Sequence, residues 1–126
     1  MPEAHTPPRR SARPLWIIAF ILYALALAGA THWPQPILVD APPQSDKVVH
    51  FVAFFLWTTL LALTRLVTPS RESLPLLLTI GLCYAVLDEL TQGIPGINRH
   101  VSMGDLLANA SGVIGAVVIR ALLLRR

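Results

Sequence analysis

With 126 residues, 54% of them hydrophobic and only 13% charged, the chain lies far from the roughly 25% charged content of a soluble domain. The apolar residues gather in four blocks that leave no room for a separate soluble domain and show no repeat between the halves, so one membrane domain is expected. The formal net charge is +3, and the single cysteine, Cys83, excludes an internal disulfide and any thiolate metal cluster. Because Cys83 sits in an apolar run, it reads as a small core residue.

Residues 1–14, MPEAHTPPRRSARP, are rich in proline and set Arg9, Arg10 and Arg13 against one acid, Glu3. This predicts a basic disordered tail on the cytoplasmic side. A nucleic-acid arm is the alternative, but three arginines beside an apolar span are more economically an orientation signal. The membrane domain is expected over residues 15–126, with its first span at about 15–31 and Pro14 in the first helical turn. Its apolar part, residues 15–30, reaches ~24 Å, short of a ~30 Å hydrocarbon core unless residues 31–33 extend it. Ala28-Gly29-Ala30 resembles a signal-peptidase site. Trp16, Tyr23 and Trp33 nevertheless supply interfacial anchors, and an uncleaved helix is preferred.

The prolines of residues 32–45, HWPQPILVDAPPQS, make an outer loop, with residues 37–39 placed to dip onto the membrane surface. Ser45-Asp46 is a helix N-cap signal, and a second span follows at about 47–67. Asp46 and His50 are four apart on one face of the first turn, with Lys47 beside them. A cap favoured by the macrodipole explains Asp46, and interfacial snorkelling explains Lys47. His50 lies one turn inside the span, where a polar group faces protein or water. After an inner turn at Pro69-Ser70, the third and fourth spans are expected at about 74–91 and 105–124. Arg9, Arg10, Arg13, Arg65, Arg71, Arg120, Arg125 and Arg126 then share the inner side, leaving Lys47 and Arg99 outside. The fold class expected is all-α, a polytopic bundle of four transmembrane helices with both termini cytoplasmic.

Residues 88–115, DELTQGIPGINRHVSMGDLLANASGVIG, place charge between two apolar runs. Glu89 and Gln92, three apart, can face the bundle together, and Asp88 and Gln92 are four apart. Gly93, Pro95 and Gly96 break the helix into a short outer hairpin. Ser102 and Asp105 approximate a capping box at the start of the fourth helix, which accounts for part of Asp105. It does not account for Asn109, one turn deeper, where an amide in lipid would lack partners. Gly104, Ala108, Gly112 and Ala116 form a small-residue stripe that admits a neighbouring backbone, or a second subunit in a homo- or hetero-oligomer. Close contact there should bring Asp105 and Asn109 near Glu89 and His50.

DKVVHFVAFF from Asp46, E-x-x-Q at Glu89 and Gln92, and R-x-x-S-x-x-D-x-x-A-N-x-x-G from Arg99 to Gly112 together resemble the VanZ-like family over the last three spans. That family comprises small integral membrane proteins named for a member linked to teicoplanin resistance, without an established mechanism. The resemblance implies a multi-pass protein of the bacterial cytoplasmic membrane. It marks Asp46, Lys47, His50, Glu89, Gln92, Arg99, Ser102, Asp105, Asn109 and Gly112.

Three chemistries compete for this set. Metal ligation by His50 with Glu89 and Asp105 lacks HExxH or any paired-histidine spacing, so no metal and no other cofactor is expected. Acid-base catalysis, with Glu89 or Asp105 as base and His50 as acid, lacks an identifiable nucleophile, since Ser102 is better explained as a cap. Binding would use Lys47 and Arg99 as cationic donors to a phosphate or carboxylate at headgroup level, with Asp46, His50, Glu89, Gln92, Asp105 and Asn109 fixing its orientation. A hydrogen-bonded network that only pins helix ends is also open. The leading expectation is an outward site for a membrane lipid or lipid-linked cell-wall precursor, with no nucleic-acid partner, affecting glycopeptide susceptibility of the teicoplanin type. A small membrane enzyme acting on a lipid-linked substrate and a scaffold subunit are the alternatives.

Overall fold

The structure is a computed structural model that describes residues 12–33, 45–67, 70–97 and 99–125. Most of the basic tail, residues 34–44 of the proline-rich loop with the membrane dip at 37–39, Pro69 and Arg126 lie outside these residues. Four helices follow in order: α1 Arg13–His32, α2 Ser45–Leu63, α3 Leu74–Gln92 and α4 Met103–Leu123. A single 3-10 turn, Arg71–Ser73, leads into α3, and no strand occurs among the described residues. Each helix is long and apolar enough to cross a membrane. Their 19 to 21 residues correspond to ~28–32 Å, matching the hydrocarbon thickness. The protein is an all-α, multi-pass membrane protein.

Local chemistry sets the helix ends. Pro14 and Pro75 occupy the first turns of α1 and α3, where a missing N–H is harmless. The second helix stops at Leu63, short of the expected residue 67. Thr64 Oγ1 donates to the Leu61 carbonyl at 2.6 Å, the Leu66 amide donates back to that hydroxyl at 3.2 Å, and Arg65 turns left-handed at φ 56°. Beyond α3, Gly96 takes φ 102°, a conformation open to glycine.

Packing follows from small residues and aromatics. The tightest approach is between α2 and α4 at Gly112, where a β-carbon would run into the Phe51 carbonyl and come within 2.9 Å of the Phe55 nitrogen. At Gly112 the small-residue stripe therefore faces α2 of the same chain. At Gly81 a β-carbon would meet Val113 Cγ1 at 2.5 Å, so α3 and α4 also lie close. Between the helices, Trp57 stacks on Tyr84 with centroids 4.5 Å apart and takes the edge of Phe20 at 5.2 Å. Leu27, Phe54, Leu61, Leu77, Ala85 and Val113 complete the buried core.

Two expectations are corrected here. Tyr23 is an interhelix strut rather than an interfacial anchor, since its hydroxyl donates to the Ala53 carbonyl of α2 at 3.0 Å. Cys83 is exposed rather than part of the core, because α3 turns Gly81 and Ala85 inward and Cys83 outward. On α1, Leu15, Ile18, Leu22 and Leu25 are likewise exposed at helical spacing, an apolar stripe suited to lipid.

Candidate polar site at one end of the bundle

The four helices alternate in direction, so the C-terminal ends of α1 and α3 meet the N-terminal ends of α2 and α4. Side-chain contacts confirm this: Thr31 of α1 meets Asp88 of α3, His50 of α2 meets Asn109 of α4, and Glu89 of α3 meets the backbone of Ser102. All eight residues expected to bind a ligand lie at this end.

On the α2 and α4 side, His50 Nδ1 lies 2.9 Å from Asn109 Oδ1, and both residues are buried. An amide oxygen can only accept, so Nδ1 carries the proton and the ring presents Nε2 toward Asp46 Oδ1, 3.7 Å away. Lys47 lies across Gly104, where a β-carbon would meet its Cε at 2.9 Å, and its Nζ is 3.9 Å from Asp105 Oδ1. Only half of the expected capping box forms. The Asp105 amide donates to Ser102 Oγ at 3.3 Å, but the Ser102 amide donates to Glu89 Oε1 at 2.5 Å instead of to Asp105. Glu89 thus caps a neighbouring helix and releases the Asp105 carboxylate from that duty. Capping still commits the Ser102 oxygen, so Ser102 remains a poor nucleophile.

On the α1 and α3 side, Asp88 receives Thr31 Oγ1 at 2.7 Å and Gln92 Nε2 at 3.0 Å, one on each carboxylate oxygen. Gln92 turns its own oxygen to Arg99 Nη1 at 3.4 Å, and the same nitrogen donates to the Thr31 carbonyl. His32 bridges the Ala28 carbonyl and the Thr91 hydroxyl at 2.9 and 2.8 Å. Arg99 is therefore turned inward as a tie between α1, α3 and the hairpin. Lys47, with 52% of its side chain exposed, is the cation that opens outward.

Hydrogen bonding separates the two sides. Glu89 Oε2, Asp105 Oδ1 and Asn109 Nδ2 are buried without a hydrogen-bond partner, whereas both oxygens of Asp88 are satisfied. A family model described as VanZ/LLP1 matches residues 11–124. The chain belongs to the VanZ/LLP1 family. No curated protein and no solved structure gives a significant match to it. The VanZ/LLP1 match takes in α1, beyond the three spans that carried the resemblance in the sequence. That helix supplies Thr31 and His32, which reading the sequence did not bring into the site. Asp88, four residues before Gln92, joins them as a third site residue outside the expected set. The available signal was level: Thr31 and His32 close a span at the end that carries Asp88 and Thr91.

Proposed function

We propose that this VanZ/LLP1 protein binds the polar headgroup of a membrane lipid or lipid-linked cell-wall precursor at the outer face of the bacterial cytoplasmic membrane. One observation carries the reading. Three buried polar atoms, Glu89 Oε2, Asp105 Oδ1 and Asn109 Nδ2, lack partners beside an outward ammonium, Lys47. A network that merely pinned helix ends would satisfy its carboxylates, as the Asp88 side does, where the orphan is a single donor, Arg99 Nε. Unmet donors and acceptors of both kinds, at the level where headgroups lie, suit a ligand that carries phosphate together with hydroxyl or amide groups. Occupancy of such a ligand is the route by which the protein would alter glycopeptide susceptibility of the teicoplanin type.

The test is lipid carried through purification in mild detergent, identified by mass spectrometry. The parent should retain about one equivalent of a defined lipid, as expected for a single pocket of this kind. Glu89→Gln, which keeps the Ser102 contact and removes the charge, should reach the membrane normally and lose most of that lipid. Retention undiminished in Glu89→Gln, or no lipid on the parent, overturns the proposal.

A further inference from the structure

Asp46 Oδ1, His50 Nε2 and an Asp105 carboxylate oxygen converge from α2 and α4, their ligand atoms all lying within 4.8 Å of one another. The sequence offers His50 and Asp105 as metal ligands with Glu89 as the third; in the structure Asp46 takes that third place. Asp46 and His50 are one turn apart on α2, but Asp105 joins them only through the α2 and α4 contact at Gly112. We propose that these three residues bind one divalent cation of the first transition row.

The histidine supplies the first reason. Its Nδ1 lies 2.9 Å from the Asn109 oxygen inside the bundle, which fixes the ring and turns Nε2 toward the Asp46 carboxylate, 3.7 Å away. Fixing one ring nitrogen by a buried oxygen so that the other is free to ligate is the usual arrangement around metal-bound histidine. The second reason is independent. Glu89, 1% exposed, keeps Oε2 without a partner and interacts electrostatically with both His50 and Asp105. A buried acceptor oxygen therefore stands near two of the three ligands, His50 and Asp105.

The distances allow closure. Bonds near 2.0–2.1 Å to nitrogen and oxygen place tetrahedral ligands ~3.3 Å apart. The 3.7 Å between His50 Nε2 and Asp46 Oδ1, and separations of up to 4.8 Å within the set, close by side-chain rotation at exposed Asp46 and partly buried Asp105. Lys47 Nζ, 3.9 Å from Asp105 Oδ1, is at ion-pair range without a hydrogen bond and is half exposed, so it can withdraw as the ion enters. One imidazole nitrogen with carboxylate oxygens suits Zn²⁺ or Mn²⁺ better than thiolate-seeking ions, and three protein ligands leave a position open to solvent or a ligand oxygen.

Full-length protein carrying no polyhistidine tag, purified in lipid-free detergent and stripped with chelator, is titrated with Zn²⁺ alone and with Mn²⁺ alone. The parent should retain one equivalent of Zn²⁺ per chain. Asp46→Asn and Asp105→Asn should each weaken retention at least tenfold, as the loss of a charged ligand implies. Bound Mn²⁺ should show nitrogen coupling in pulsed electron paramagnetic resonance, and His50→Gln should abolish it. Glu72→Gln, at the opposite end, should behave as the parent. Asp46 is exposed in a first helical turn, so its variant folds and keeps the test decisive. No retained metal on the parent overturns the site, as does Asp46→Asn binding like the parent; an imidazolium ion-paired with Asp46 would give the former. Because no lipid is present, failure here leaves the headgroup proposal standing, and loss of lipid retention would not touch this result.

Discussion

Asp88 and Glu89 are consecutive acids on α3, both almost fully buried, yet their surroundings predict opposite responses to losing charge. Thr31 and Gln92 both donate to Asp88, and Gln92 cannot reverse its amide because its oxygen accepts from Arg99. Asp88→Asn would leave Oδ1 to Gln92 and turn the Thr31 hydroxyl from donor to acceptor, with its proton redirected to the Ala28 carbonyl, so two hydrogen bonds to a charged group become neutral ones. We expect a loss of about 1–3 kcal/mol, read as a lower unfolding midpoint in detergent, as for hydrogen bonds that lose a charged partner. Glu89→Gln should leave that midpoint unchanged, since Oε1 still accepts from the Ser102 amide and the new NH2 replaces an oxygen with no partner. Equal midpoints for the two variants would refute this division of labour. Glu89 could be singled out from the sequence because an acid at a span end is hard to explain by helix rules alone. Asp88 could not be told apart from it, because its partners Thr31 and Arg99 lie far along the chain. For the same reason Arg99 was expected to meet a ligand and instead ties down its own loop.

At the level of helices, existence and order were legible and terminations less so. Four apolar runs of about the length needed to cross a bilayer leave little choice, and Ser102 marked the start of α4 correctly. The end of α2 was overrun by four residues, because Leu66 and Val67 continue the apolar run while Thr64 and Arg65 stop the helix through a hydroxyl contact and a left-handed turn. Small residues on α4 were legible as a packing stripe, but not which helix would fill it. Two glycines of α4, Gly112 in the stripe and Gly115 beside it, make opposite predictions. A β-carbon at Gly112 would strike the backbone of Phe51 and Phe55, whereas one at Gly115 meets the Phe55 and Phe51 rings at ordinary contact distances of 3.5 and 3.7 Å. Gly112→Ala should cost on the order of 1–3 kcal/mol by forcing the helices apart, and Gly115→Ala should be neutral or stabilise by up to ~1 kcal/mol through helix propensity. Thermal aggregation midpoints of the two variants in detergent decide it. A Gly112→Ala protein as stable as its parent would mean that α2 and α4 do not touch there.

For the whole molecule, both functional proposals require the polar end to face outward, and charge distribution argues for that orientation. Arg13, Arg65, Arg71, Arg120 and Arg125 lie toward the opposite end, where basic residues held on the cytoplasmic side are expected. Of the two cations at the polar end, Arg99 is tied inward and Lys47 stands beside Asp105, so neither offsets the imbalance by much. Cysteine labelling tests the consequence directly. Cys83 is the one native thiol and lies exposed on the apolar surface of α3, so Cys83→Ser gives a silent background. His100 is exposed in the hairpin at the polar end, and Ser70 is exposed before α3 at the other. In intact cells a membrane-impermeant maleimide should label His100→Cys and spare Ser70→Cys, which should react only after permeabilisation. The reverse pattern would turn Lys47, Asp105 and the cation ligands toward the cytoplasm. A lipid-linked precursor would then have to be met before export rather than after it, and the outward reading would fall while the geometry of the site stood.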